Sequence, residues 1–127
     1  MDLSVERKIQ LDKGKTKIRI DKTNTNKSFI IELIGQFDQK AQDNFFIDYK
    51  NKIKEISVNE YDLIVDCHLL GVIQSNLIDG VKVAFKEYYS KFKSVKIITP
   101  GNIVGKIQLK RIAKECKDFV HIDFAEK

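Results

Sequence analysis

The pattern of apolar and polar residues switches between two periods along this chain of 127 residues. Thr16 to Ile20 and Phe29 to Ile34 predict two strands, and the polar stretch from Asp21 to Asn26 between them is typical of an antiparallel hairpin. Residues 1–14 are charged and are expected to form a loosely held lead-in. We therefore expect one domain, covering residues 15–127.

Three later stretches repeat their apolar residues at the spacing of a helix with one buried face. The first follows Asp38, a good N-cap, and the third follows the break at residues 99–102 (TPGN) and runs to about Lys117. The stripe of the first helix consists of Ala41, Phe45, Phe46, Tyr49, Ile53 and Ile56. The stripe of the second consists of Leu77, Ile78, Val81, Phe85, Tyr88 and Phe92.

Short apolar strands separate and follow these helices, at Tyr61 to Cys67, Ser94 to Ile98 and Phe119 to Phe124. The element order is then β-β-α-β-α-β-α-β, which predicts an α/β domain with a mixed sheet covered by about three to four helices. Tyr61 to Cys67 should be an interior strand, covered on both faces, with parallel neighbours. Functional residues of such sheets tend to follow the carboxyl ends of the parallel strands.

The net charge of +5 is unevenly distributed. Residues 82–117 contain ten Lys or Arg against two acidic residues, whereas residues 38–66 contain four against seven. A basic flank of this kind attracts anionic partners. However, it contains no interleaved aromatic and glycine motif and no DNA-reading element, and Lys106, Lys110 and Lys114 have the spacing of a solvated helix face. Nucleic acid is therefore the less favoured partner.

The residues that often carry catalysis or bind metals are sparse. Cys67 and Cys116 form neither a metal spacing nor a CxxC pair, and His121 has no companion at ligand spacing. Cys67 and His68 are adjacent, so on an extended strand they point to opposite faces and do not form a dyad. The chain also has no Gly-rich phosphate loop. We predict no enzyme, no metal and no cofactor.

The sequence contains neither a signal-peptide pattern nor an apolar run of the roughly 20 residues that a membrane-spanning helix needs. We therefore expect a cytoplasmic protein with no membrane contact.

Four segments of the chain resemble the STAS domain of bacterial anti-sigma factor antagonists and stressosome scaffolds. Residues 33–38 (LIGQFD) are similar to the family's apolar strand ending in Gly-Glu-Leu-Asp, and residues 63–66 (LIVD) to its central strand ending in Asp. Residues 72–76 (VIQSN) stand where the family has an apolar pair followed by Asp-Ser-Ser-Gly, and residues 99–102 where it has a short polar turn. The resemblance covers about Lys15 to Phe124.

The resemblance implies a protein-interaction module whose partner is an anti-sigma factor, a related kinase or another copy of the chain. It also implies that Ser75 is the serine phosphorylated by the partner kinase, although Gln74, Asn76 and Leu77 replace the aspartate, the second serine and the glycine of the motif. A serine at a helix start is alternatively a plain N-cap. The partner-binding residues expected on this basis are Asp38, Asp66, Val72, Ile73, Gln74, Ser75, Asn76, Leu77, Thr99 and Asn102.

Two classes of function therefore stay open. The first is the STAS-like interaction module, for which apolar exposure around Val72, Ile73 and Leu77 would be the mark. The second is a domain that binds a small ligand or nucleic acid through the basic flank, for which the mark would be a concavity lined by Lys and Arg.

Overall fold

The computed structural model describes residues 12–23 and 25–127, so most of the predicted lead-in lies outside the described residues. The strands are β1 (Lys15–Lys22), β2 (Lys27–Ile34), β3 (Asp62–Asp66), β4 (Ser94–Ile98) and β5 (Asp123–Ala125). The helices are α1 (Gln39–Ile53), α2 (Ile78–Val83) and α3 (Ile103–Glu115). Short 3-10 turns occur at Val58–Glu60, Ser75–Leu77 and Tyr89–Lys91.

The five strands form one mixed sheet in the order β1-β2-β3-β4-β5. β1 and β2 are an antiparallel hairpin, and β2 to β5 run parallel to one another. Leu63 on β3 pairs with Phe29 on one side and with Val95 on the other. The predicted α/β class, the mixed sheet and the interior position of this strand are confirmed.

The helices lie on one face of the sheet. Each parallel strand is added on the same side of the preceding one, and right-handed crossovers then place every connecting helix on the same face. The buried core accordingly joins sheet residues such as Leu63 and Val65 to Phe45 of α1 and Leu109 of α3.

The other face of the sheet carries Ile30 and Ile64 next to each other, and both are only half-buried. No helix in residues 12–23 and 25–127 packs over them. Within the described residues, helices cover β3 on one face only, so the expectation that this strand is covered on both faces is not met there, because a strand order that never reverses gives the crossovers only one face to occupy.

The second helix is less regular than its apolar stripe predicts. α2 follows the 3-10 turn at Ser75–Leu77 and continues into a wider π-helical turn at Ala84–Tyr88. Phe85 is fully buried, whereas Ile78, Val81 and Tyr88 are half-buried. The changes in helical period rotate successive apolar side chains relative to the core, which a single 3.6-residue stripe does not anticipate.

The last strand is shorter than predicted and begins later. The N–H groups of Phe119 and Val120 both donate to the carbonyl of Cys116, at 2.9 and 3.2 Å, in a turn that ends α3. Phe119 is exposed, with the ammonium of Lys86 5.0 Å from its ring centre. The predicted strand of Phe119 to Phe124 is therefore corrected to Asp123–Ala125, because the helix end uses the backbone of the preceding residues.

We expect Phe85→Ala to lower the free energy of unfolding by about 3–5 kcal/mol, because it removes a fully buried ring from the core. Val83→Ala is the matched control in the same helix, since Val83 is exposed and its truncation should cost less than about 1 kcal/mol. Urea denaturation of both variants measures the difference. Equal losses would show that the buried face of α2 and of the π-helical turn that continues it is assigned wrongly.

Candidate functional site

The loop between β3 and α2, residues 67–74, leaves the sheet at its carboxyl edge and is fixed there by Gly35. The N–H of Gly35 donates to the carbonyl of Leu69, and the carbonyl of Gly35 accepts from the N–H of Gly71, both at 2.9 Å. Gly35 has φ +87°, and a Cβ at this position would lie 2.7 Å from the carbonyl oxygen of Lys13. Only glycine fits this close approach of three backbone segments.

Three side-chain amides hold the rest of the loop. Gln36 Nε2 donates to the carbonyl of Val72 at 2.6 Å, and Asn102 Nδ2 donates to that of Leu70 at 2.9 Å. Gln108 makes two bonds with Ile73, donating to its carbonyl at 2.8 Å and accepting from its N–H at 2.9 Å. The backbone of the loop is thus tied to the end of β2 and to α3.

These bonds set the direction of each apolar side chain in the loop. Leu70 and Ile73 point inward and are buried, whereas Leu69 and Val72 remain 57% and 40% exposed. The hydrogen-bonded backbone thus presents two apolar side chains to solvent.

The first two turns of α3 adjoin this loop and are apolar on their outer surface. Asn102 caps the helix by accepting from the N–H of Gly105 at 2.6 Å, and its amide reaches the loop at Leu70. Ile103, Val104 and Ile107 are 73%, 55% and 51% exposed. Together with Leu69 and Val72 they form the apolar patch. It includes five of the eight exposed large apolar side chains in the described residues.

The predicted phosphorylation site lies beside the apolar patch. Gln74, Ser75 and Asn76 are exposed at the end of the loop. Gln74, not Ser75, occupies the N-cap position of the 3-10 turn, and no side chain caps either this turn or α2. The N-cap interpretation of Ser75 is therefore wrong, because the serine lies inside the turn, where its N–H and carbonyl already follow a helical path.

Other predicted partner-binding residues are buried inside the domain and are not available to a partner. Ile73, Leu77 and Thr99 are buried, and Thr99 bonds to the carbonyl of Ala125. Leu77 stands where the STAS motif has glycine, and its side chain fills the core beneath the turn. The apolar exposure expected around residues 72–77 is thus limited to Val72.

The two predicted aspartates support the backbone at the same edge of the sheet. Asp38 caps α1 by accepting from the N–H of Ala41 at 2.8 Å, as predicted. Asp66 accepts from the N–H of His68 at 3.0 Å and pairs with the ammonium of Lys127 at 2.8 Å. Burial opposes ionisation of Asp66, but these two donors outweigh it and hold the pKa of its carboxyl below the usual value.

The basic flank runs along the second half of α3. Lys110, Arg111 and Lys114 are exposed there, directly after the apolar turns of the same helix. A shallow concavity between α3 and β5 is lined by Lys110, Lys114 and Lys117, with the ammonium of Lys110 5.8 Å from the ring centre of Phe124. The outer face of α3 therefore changes from apolar to cationic along its length.

The remaining thiol, imidazole and carboxylate side chains do not gather into a second site in the described residues. Burial raises the pKa of the Cys67 thiol, which therefore stays protonated at neutral pH. Within residues 12–23 and 25–127, no group of three or more His, Cys, Asp or Glu side chains is placed to hold a metal ion. In the same residues, no helix has both the length and the apolar composition to cross a membrane.

Comparison with known proteins identifies the fold. No protein-family model matches the sequence, and no curated protein matches it. A matching solved structure is the crystal structure of an uncharacterised protein of the DUF3478 family with a SpoIIAA-like fold from Shewanella loihica PV-4. It is 15% identical, with a TM-score of 0.64 over 90% of this chain and 88% of that chain. This chain therefore has a SpoIIAA-like, that is STAS-like, fold.

Most of the apolar patch was missed by reasoning from the sequence. Ile103, Val104 and Ile107 have the spacing of a buried stripe, and Leu109 and Ile112 on another side of the same helix turn out to be the buried ones. The sequence did contain a sign of this patch: α3 has apolar residues on two sides, whereas a helix with one buried face needs them on only one.

We expect Gln108→Ala to lower the free energy of unfolding by about 1–3 kcal/mol, because it leaves the N–H and carbonyl of Ile73 without their partner. Arg111→Ala, an exposed position on the same helix, should change it by less than about 0.5 kcal/mol. Chemical denaturation measures both values. Amide hydrogen exchange should also accelerate in residues 70–73 of the Gln108 variant, and unchanged exchange there would contradict the proposed role of the side chain.

Proposed function

We propose that this domain is a non-catalytic protein-interaction module that docks a partner on the apolar patch. The observation that carries the proposal is the concentration of exposed apolar side chains on one loop and one helix start. Exposed apolar residues gathered in one place are typical of interaction sites, whereas single ones are ordinary surface.

The hydrogen bonds that hold the patch in place support the interpretation that its side chains are exposed in order to bind a partner. Gln36, Asn102 and Gln108 fix the loop that carries Leu69 and Val72. A surface that is already ordered loses less conformational entropy when a partner docks. The same side chains also satisfy the loop backbone without help from a partner, so the free module stays folded.

The charge beside the patch indicates the chemistry of the partner. Lys110, Arg111 and Lys114 continue the outer face of α3 beyond Ile107. A complementary partner has an apolar site bordered by acidic residues, since opposite charges at the rim favour and orient the encounter. The resemblance to anti-sigma factor antagonists makes a cytoplasmic kinase-type anti-sigma factor the partner to test first, and self-association is the other expectation.

We expect Ile107→Glu to weaken binding to a kinase-type anti-sigma factor of the same organism at least tenfold, equivalent to about 1.4 kcal/mol. Ile47→Glu is the matched control, because Ile47 is 57% exposed and Ile107 51%, both on helices, but Ile47 lies on α1 away from the patch. Isothermal titration calorimetry measures the dissociation constants, and circular dichroism checks that both variants fold. The same pair of variants, followed by sedimentation, tests self-association.

Equal affinities of the two variants would show that the patch is not the docking surface. The basic concavity between α3 and β5 supports the second candidate function, binding of an anionic ligand or nucleic acid. That function predicts binding that Lys114→Glu abolishes, that falls steeply with salt and that Ile107→Glu leaves intact.

The position of Ser75 permits a phosphorylation switch, but its neighbours differ from the family motif. Ser75 is exposed beside Val72, where a phosphate of nearly two negative charges would repel a partner with an acidic rim. Yet Gln74 and Asn76 replace the aspartate and second serine that flank the phosphorylated serine in the family. We therefore propose that docking is constitutive.

Constitutive docking predicts that Ser75→Asp binds the partner as tightly as the wild type, within about twofold, and that a tightly binding kinase leaves Ser75 unmodified in mass spectrometry. Ser75→Ala should change the free energy of unfolding by less than about 0.5 kcal/mol, because no capping bond is lost. Phosphate on Ser75, together with a tenfold weaker Ser75→Asp complex, would instead establish the switch.

A further inference from the structure

An apolar cavity of about 70 Å³ extends into the core beneath the β3–α2 loop. The sheet contributes Val65 and Ile97 to its wall, α3 contributes Leu109, and the π-helical turn contributes Ala84 and Phe85. Most of these side chains are nearly inaccessible to solvent. The cavity therefore reaches into the packed core, and it is partly open on the side of its less buried lining residues.

None of the described residues that line the cavity is charged. Its polar groups are the Gln42 amide, which already donates to the carbonyl of Leu77 at 3.0 Å, the Cys67 thiol and the Tyr89 hydroxyl. Burial raises the pKa of both Cys67 and Tyr89, so both are neutral at physiological pH. A water molecule needs two to four polar partners. Of the three polar groups here, the Gln42 amide is already bonded and the thiol is a weak hydrogen-bonding group, so an apolar occupant is favoured over water.

The volume limits the size of the occupant. An engineered cavity of about 150 Å³ with similar walls binds benzene or xenon, and this cavity is roughly half as large. It suits a compact molecule with the bulk of a short branched alkyl group rather than a fatty acid. Ala84 presents only a methyl group to this space, whereas the absent side chain of Gly80 makes room for the Gln42 amide, 2.5 Å from the position that a Cβ would take.

On one side of the cavity the lining residues are less deeply buried. Phe37, Phe46 and Val81 line it and are only half-buried, and Val72 lines it while belonging to the exposed apolar patch. Small movements of these side chains give a route of entry. π-helical turns occur frequently at functional sites, and here Ala84–Tyr88 forms part of the opposite wall.

We propose that this cavity is a binding site for a small, uncharged, apolar molecule. The site is built from the residues of this chain alone, so it does not depend on the docking function. Its occupant would lie directly beneath Leu70 and Ile73, the inward-facing residues of the pinned loop.

The wild-type protein is titrated with xenon and, separately, with benzene. Binding is measured from the methyl resonances of Val65, Leu77 and Leu109 in 1H–13C NMR spectra. We expect shifts that saturate with xenon concentration and are confined to lining methyl groups. Ala84→Leu should abolish these shifts and raise the melting temperature, because the added methyl groups fill the space. Val83→Leu is the control, since Val83 is exposed on the same helix and should leave the xenon shifts unchanged.

Ala84→Val serves as a second, smaller filling variant if Ala84→Leu does not fold, and it should reduce xenon binding severalfold. Saturation with xenon but not with benzene supports the site and sets its upper size. Shifts that do not saturate with either probe, or that are the same in the filled and wild-type proteins, would overturn the proposal. In that case the cavity is a packing defect. Partner-binding measurements play no part in this result, so the two proposals fail separately.

Discussion

The β3–α2 loop carries a run of backbone N–H and carbonyl groups away from the sheet, and every one that is shielded from water needs a hydrogen-bond partner. Gly35 and the amides of Gln36, Asn102 and Gln108 supply these partners from two neighbouring elements. The same bonds decide which apolar side chains of the loop enter the core, and they fix the start of α3 against the loop. Hydrogen bonds therefore join the loop, the end of β2 and the start of α3 at this edge of the sheet.

The cavity under this edge is costly for a small domain. A space of about 70 Å³ that the described side chains leave open corresponds to about 2 kcal/mol of packing energy, a sizeable share of the net stability of a domain of this length. The core around it is otherwise closely packed, with Phe85 and Tyr89 at a ring-centre distance of 5.5 Å and a further aromatic contact from Tyr49 to Phe29 at 5.9 Å. The cavity is therefore a local feature of the core. The wider π-helical turn forms one of its walls, through Ala84 and Phe85.

The sequence predicted the sheet well, because apolar runs such as residues 63–66 and the caps Asp38 and Asn102 are local signals that the fold obeys. Prediction from the sequence failed where a backbone group can take part in either of two secondary structures. The residues before Asp123 were read as strand, but their N–H groups end α3 instead. Ser75 was placed at a cap that Gln74 occupies. The site was only partly predictable, since a second apolar side on α3 becomes an outer surface only once the topology decides which side faces the sheet.

The strand order has a consequence for how the chain acquires its structure. From β2 onwards each strand pairs with the one that precedes it in the sequence, so no strand must wait for a later segment to be inserted beside it. A chain emerging from the ribosome can extend the sheet one helical crossover at a time, because each strand closes only on the strand before it. The short β5 comes last, and its outer edge is where growth of the sheet stops. The strand order therefore permits assembly of the sheet in the direction of synthesis.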